Sequence, residues 1–432
     1  MNYLIQDFAY PNPSSRGGKS GIPIVHLSSK FTKKLVYNEM YLPFNPLNFS
    51  GVVYADGNQK LEYNSFAKLW KQKYAHVKIF NPKYDLCNTC CYLRKKKGSE
   101  SQLYNHYKDA YIQRKSFNNN VELTRSINYI TTSVQLTFDY AEKILIPKYV
   151  DQQQSIYFKT PLKIDLFGVA NNTRGIQSNY VLPEGHWPAD KGINSIASML
   201  FHNIKKNFAN TNINTIYLMA DNCSGQNKNC FMMWFLLYLC AILPTCSTIY
   251  LKFLIAGHTK NFCDAAFGLC KRAIKRKDIL TPKDVVKAYR ESSICNIVEL
   301  VNEVIFYDWK SFLGQFFDKK VAEMTLQHEF MFVKGNFGSV CYKKFATDSA
   351  WNTASLLIAN IKIEDIQNAG NSNTIYEPLS KFIINPVTYS LESKRGSSDE
   401  VNRKQYLDKD VVEKYLVGDD EQFREAFFGC GL

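Results

Sequence analysis

Between residues 133 and 277 the hydrophobic pattern changes period in a set order, and that order restricts the fold more than any other feature of the chain. Residues 133–138 (SVQLTF) alternate as a half-buried strand does, 162–170 (LKIDLFGVA) read as a second strand, and 179–183 as a short third. Ile193, Ile196, Ala197, Leu200, Phe201, Ile204 and Phe208 then recur at helical spacing, an amphipathic stripe. Residues 213–220 (INTIYLMA) are a short apolar run of the kind buried parallel strands show. The apolar stretch 230–243 follows as a helix with little exposed face, then 248–256 (TIYLKFLIA) as another buried strand and 264–277 as another helix.

Strand, strand, strand, helix, strand, helix, strand, helix is the order of a ribonuclease H-like domain. The fold class expected is therefore α/β, a ribonuclease H-like mixed sheet flanked by helices over 131–290. A turn-rich lead-in (1–21) and a basic, mainly helical region (22–130) precede it, and a small α+β region with an acidic tail (291–432) follows. In that last part, 328–344 looks like a hairpin around Gly335-Asn336-Phe337-Gly338, and 408–428 like acidic helix. The run 230–243 stops at Pro244 and is too short to span a bilayer, so no membrane partner is expected. No secretory signal is read at the N-terminus.

Acidic residues sit where the buried strands end. Asp139 follows the first strand, and Asp221 ends the 213–220 strand and opens D-N-C-S-G-Q-N-K-N. Asp264 begins the helix after the 248–256 strand, within G-H-T-K-N-F-C-D. In a ribonuclease H-like sheet the first and fourth strands are neighbours, so Asp139 and Asp221 would lie side by side with Asp264 facing them. Carboxylates that converge repel each other, and divalent cations offset that repulsion. Two Mg²⁺ or Mn²⁺ held there could activate a water or a 3′-hydroxyl for phosphodiester chemistry. Asp165 and Glu142 compete for the first position; Asp139 is preferred because its strand is the one expected to pair with that of Asp221. His258 either orients a water or phosphate or bonds within a tight turn. Gln226 and Lys228 stand at a helix start where they could meet phosphate or brace the acids, and Lys271 and Arg272 belong to a basic run that is either a solvated face or a nucleic-acid contact.

The chain of 432 residues carries a net charge of +14, spread unevenly. Residues 1–130 hold a net +11 and residues 363–432 a net −5. A basic N-terminal third attracts polyanions, nucleic acid above all. Within it, the helix expected at 65–74 sets Phe66, Leu69 and Trp70 on one face and Lys68 and Lys71 on others, with Asn64 or Ser65 as its cap. It is either a DNA-reading element or an ordinary packing helix. Twelve cysteines, mostly scattered through apolar runs, do not make a disulfide framework. Cys87 and Cys90 have the spacing with which two thiolates bind one zinc ion, and His106 is a third candidate ligand. Cys91 and His76 are the candidates for the fourth. Lys95 and Lys96, in the R-K-K-K run that follows, would give this module a positive face.

The set formed by D-L-C-N-T-C (85–90), T-F-D-Y-A (137–141), D-N-C-S-G-Q-N-K-N (221–229) and G-H-T-x4-D (257–264) resembles a family of eukaryotic transposon-encoded proteins held to be DDE/D-type transposases. The likeness runs from about residue 22 to 425 and is most specific at 221–229 and 257–264. It implies a ribonuclease H-like catalytic core, action in the nucleus, DNA as substrate and Mg²⁺ as cofactor, with Asp139, Asp221 and Asp264 as catalytic acids. The function expected is a DNA transposase that hydrolyses transposon ends and transfers the freed strand into target DNA, as a homodimer or higher assembly because two ends must be joined. The alternatives are a nuclease without strand transfer and a domesticated DNA-binding protein without catalysis.

Overall fold

A central strand that buries both faces organises the larger part of this protein. The structure is a computed structural model. It describes residues 9–11, 25–27, 31–42, 61–79, 87–369 and 376–385, apart from 153, 158–160, 185–186 and 189–190. Residues 12–21 of the lead-in and the acidic helix expected at 408–428 lie outside these residues. The chain forms two compact units, 1–88 and 89–432, the division falling in the first turn of a helix.

The first unit holds three short strands, β1 (Ala9–Pro11), β2 (Val25–Leu27) and β3 (Val77–Ile79), with β2 antiparallel to β1 and parallel to β3. Its helix α1 (Tyr63–Lys73) packs Phe66 and Trp70 against Leu27, Val36 and Val77. Glu62 rather than Asn64 or Ser65 is the N-cap, and Leu69 is 39% exposed instead of sharing the buried face. Among its described residues the region 22–130 is mainly helical, as expected, with two three-residue strands that are too short to show a period of two.

In the second unit α2 (Asn88–Lys95) and the long α3 (Glu100–Arg125) precede the sheet. Its strands are β4 (Ser133–Tyr140), β5 (Ile144–Ile146), β6 (Leu162–Asn171), β7 (Ile176–Pro183), β8 (Thr215–Ala220), β9 (Thr248–Phe253), β10 (Asn296–Leu300), β11 (Glu329–Val333), β12 (Ser339–Lys343) and β13 (Asn352–Ser355). They stand in the order β10-β7-β6-β4-β8-β9-β11-β12-β13, with β5 beside β6. β4 pairs antiparallel with β6 and parallel with β8, and β8 parallel with β9. The protein is thus α/β, a mixed sheet flanked by helices.

Alternation divides each strand between two layers. Val134, Leu136 and Phe138 of β4 and Ile216 and Leu218 of β8 face α4 (Ile193–Phe208), α5 (Cys230–Ile242) and the short α8 (Trp309–Leu313). α5 is buried almost all round, as its unbroken apolar run requires. Ile164, Leu166 and Ala170 of β6 face α6 (Phe262–Lys275) and α7 (Pro282–Ser292) on the other side. Among the described residues, those beyond 290 extend the main sheet instead of forming a separate α+β region. β10 pairs parallel with β7, and the β11–β12 hairpin continues the sheet from β9, covering backbone that an edge would leave unpaired.

Gly168 of β6 lies opposite Asp139 and directly under α6. A Cβ there would come within 2.6 Å of the Phe267 ring and 2.9 Å of the Gln177 amide. The missing side chain is what lets α6 lie this close to the sheet. Gly168→Ala should therefore lower stability by about 1–3 kcal/mol in urea denaturation, and Phe267→Leu in the same chain should recover part of the loss. An alanine variant as stable as the parent would mean that this contact does not set the helix position.

Candidate functional site

The C-terminal ends of the parallel strands β4, β8 and β9 gather the chemically active side chains, the edge at which open α/β sheets commonly bind ligands. Asp139 is near the end of β4, and Asp221 follows β8 at once. Thr137 pairs with Met219, so two residues further on Asp139 and Asp221 stand level on one face. On that same face the Cys263 thiol of α6 reaches the Thr137 and Gly168 carbonyls at 3.4 and 3.6 Å, which brings the start of α6 over β4. Burial, then the charges on Asp221 and Asp264, push the Asp139 carboxyl up to about 7, against a single hydrogen bond from the Tyr140 amide. The three acids are therefore electrostatic neighbours.

Each acid also has a local partner. The Asn227 amide donates to Asp221 Oδ1 at 2.5 Å, and the Cys223 amide adds a longer bond at 3.3 Å. Asp264 is exposed and forms a capping box with Asn261, accepting from its backbone N–H at 2.9 Å. Of the competitors, Asp165 pairs with Lys191 at 2.5 Å, and Glu142 pairs on the surface with Lys271.

A second cluster lies nearby. Cys87, Cys90, His106 and His258 bring one ligand atom each to within 4.8 Å of one another, an arrangement that could hold a metal ion. Cys87 directly precedes α2 and Cys90 lies in its first turn, His106 is on α3, and His258 is in the loop after β9. His258 Nε2 is 3.2 Å from His106 Nε2 and 3.3 Å from Cys90 Sγ. Burial first, then the cationic neighbours His106, Arg114 and Arg94, lowers the His258 pKa, favouring the neutral imidazole that binds metals. Neither Cys91 nor His76 belongs to the cluster. Sequence reading missed His258 as the fourth member because it stands far along the chain; its signal was Gly257, whose φ of +77° suits the third position of the turn closed by the His258 N–H to Ile255 O bond.

The residues expected to contact nucleic acid divide. Lys68 and Lys71 on α1, Lys95 on α2, Lys96 just after it, and Arg272 on α6 are exposed, while Gln226 is half-buried. Lys271 is exposed and paired with Glu142. Lys228 is a correction: it is 4% exposed, its ammonium donating to Asn222 Oδ1 at 3.0 Å and Thr325 O at 2.9 Å and lying over the Phe253 ring. Burial lowers its pKa to about 8. It braces the 221–229 loop from within, because a buried ammonium needs fixed acceptors that a solvated phosphate contact would not supply. His258, expected near water or phosphate, belongs to the Cys/His cluster. A cavity of about 400 Å³, lined by His106, Asn222, Ser224, Lys228 and His328, adjoins that cluster.

The fold and site together define an α/β protein with an acidic strand-end site beside a Cys₂His₂ cluster. Residues 155–348 match a family described as a domain of unknown function (DUF7869). That span includes Asp221, Lys228, His258 and Asp264 and leaves out Asp139, Cys87, Cys90 and His106. Neither the curated proteins nor the solved structures yield a match.

The raised Asp139 value has a consequence for stability. Its folded pKa of about 7 lies above the usual 3.8, so the stability it contributes is full below the lower value and is lost as pH rises through the higher one. In chelator-treated protein, the advantage of Asp139→Asn over the parent should widen between about pH 4 and about pH 8. Melting temperatures at the two ends check this, and a constant difference would show that the Asp139 carboxyl is not raised in the folded chain.

Proposed function

We propose that this protein is a metal-dependent DNA transposase of DDE/D type with a ribonuclease H-like catalytic core. The observation that carries it is the Asp139 carboxyl, level with Asp221 at the carboxyl ends of adjacent parallel strands, with Asp264 in the first turn of α6, and pushed up to about 7 by burial first and then by these two acids. The strand order β7-β6-β4-β8-β9, with antiparallel pairs on one side of β4 and parallel pairs on the other, supports the ribonuclease H-like assignment. An all-oxygen donor set suits Mg²⁺ or Mn²⁺. Such ions, when bound, supply an activated water or 3′-hydroxyl and a counter-charge for the leaving oxygen. Asn227 orients Asp221, and the capping box fixes the first turn of α6 that bears Asp264. Zn²⁺ is the ion we assign to the Cys₂His₂ cluster, whose sulfur and imidazole donors match it.

DNA is the partner, both transposon end and target, drawn by the basic N-terminal third, and the nucleus is the place of action. A homodimer or larger assembly follows from the need to join two ends. The capping role of Asp264 favours one second reading, a domesticated DNA-binding protein in which that acid is purely structural. The test is cleavage of duplex DNA by the full chain with Mn²⁺. Asp221→Asn should lose cleavage by orders of magnitude, and the parent should join the cut end to a second duplex. Cleavage without joining identifies a nuclease. An Asp221→Asn variant that cuts at the parental rate removes the acids from the chemistry, and a well-folded parent inert with every divalent ion establishes the binding protein.

A further inference from the structure

We propose that Cys87, Cys90, His106 and His258 make one closed zinc site, and that the ion acts as a clasp on the loop that delivers Asp264 to the acidic site. The zinc half stands on the cluster alone; the positioning half rests on the assignment of Asp264 proposed above.

Geometry comes first. With Zn–N of about 2.0–2.1 Å and Zn–S of about 2.3 Å, a tetrahedral site has N···N edges of about 3.3 Å and N···S edges of about 3.6 Å. The His106–His258 and Cys90–His258 separations, 3.2 and 3.3 Å, are close to such edges. Four protein ligands fill a tetrahedron and leave no position for water or substrate, which marks a structural ion rather than a catalytic one. His258 is the ligand that closes the shell, since the other three lie close together in sequence, from Cys87 just before α2 to His106 on α3.

The clasp follows from where His258 sits. Between Phe253, the end of β9, and Asn261, the N-cap of α6, the chain pairs with no strand among the described residues. That loop must be held by other means, and α3 supplies two. His106 meets the His258 ring, and Arg114, about two turns further along, donates to the His258 carbonyl at 2.7 Å. Asn222, next to Asp221, donates to the Leu254 carbonyl at the loop's start. Three residues after His258 the capping box begins, and its other member is Asp264. Fixing the His258 ring therefore fixes the approach of α6, whose first turn carries an acid that acts on Asp139. His258 is a positioning residue, not a catalytic one.

Two measurements on the full chain test this. X-ray absorption of the zinc-loaded protein should give a shell of two sulfur and two nitrogen ligands. His258→Ala should exchange one nitrogen for oxygen and weaken zinc binding by about 100-fold or more, while His328→Ala, beside the cavity but outside the cluster, should do neither. A three-sulfur shell, or a parent that binds no zinc, overturns the site. For the clasp, hydrogen exchange in peptides covering 255–264 should quicken at least about tenfold when zinc is removed, with β8 unaffected. Unchanged exchange there overturns the clasp even if zinc binds. A four-ligand shell and zinc-dependent protection in a chain that cuts no DNA uphold the clasp and reject the transposase.

Discussion

The parallel pairing of β4 with β8 is the constraint on which the rest of the structure depends. Thr137 opposite Met219 sets Asp139 level with Asp221, and alternation sends both away from the layer that holds Leu136, Phe138 and Leu218. A slip of one residue would turn the carboxylates toward that apolar layer and its methyl and ring groups toward α6. Burial on both faces forbids the slip, because every alternate residue of the strand already fills one core or the other. The parallel pairing of β8 with β9 puts those two strands in step, so the loops leaving them emerge side by side. The position of α6 then depends on Gly168, where the absence of a Cβ leaves room for the Phe267 ring.

Bringing like charges together costs free energy, and the surrounding structure offsets only part of it. Asp221 receives the Asn227 amide and a backbone N–H; Asp139 receives one N–H, while burial and its acidic neighbours oppose its ionisation. The polar residues around them are mostly occupied with the loop itself. Asn222 ties to Leu254 O and accepts from Lys228, Lys228 reaches Thr325 O, and Asn229 caps α5 by accepting from the Met232 amide at 3.0 Å. The string D-N-C-S-G-Q-N-K-N is therefore largely a scaffold for one carboxylate. Its Lys228 shows why charge alone is a poor guide to a surface: an ammonium with two fixed oxygen acceptors and an aromatic face is stable inside.

Cysteine usage separates by environment. Cys230, Cys240, Cys246, Cys263 and Cys270 are buried in the two cores as small apolar groups, and burial raises the Cys263 and Cys270 thiols well above their ordinary range. Cys87 and Cys90 differ in having imidazoles in reach. A short spacing supplied half of a ligand set and a helix supplied the third member. The fourth came from a turn whose positive φ at position 257 glycine adopts without strain.

Most strands and helices between 133 and 275 were legible in the sequence because period is a local property; β5 and the short helix Gln154–Tyr157 were not, each being too short to show one. The structure lengthens Ile176–Pro183 and shortens Thr248–Phe253, and keeps every element in the expected order. The strand-end acids were legible for the same reason, since an acidic residue after an apolar run is visible without any contact. What the chain did not disclose are relations between distant residues: β10 beside β7, the β11 hairpin against β9, Lys228 inside, and His258 with His106. Apart from Gly257 beside His258, these leave no mark on neighbouring residues, because each depends on which surfaces meet after the sheet has formed. Local periodicity and turn chemistry determined the elements and their polarity; the meeting of Asp139 with Asp221 and Asp264, and of two cysteines with two histidines, was decided by tertiary packing, where burial selects one register and one helix position out of many that the pattern allows.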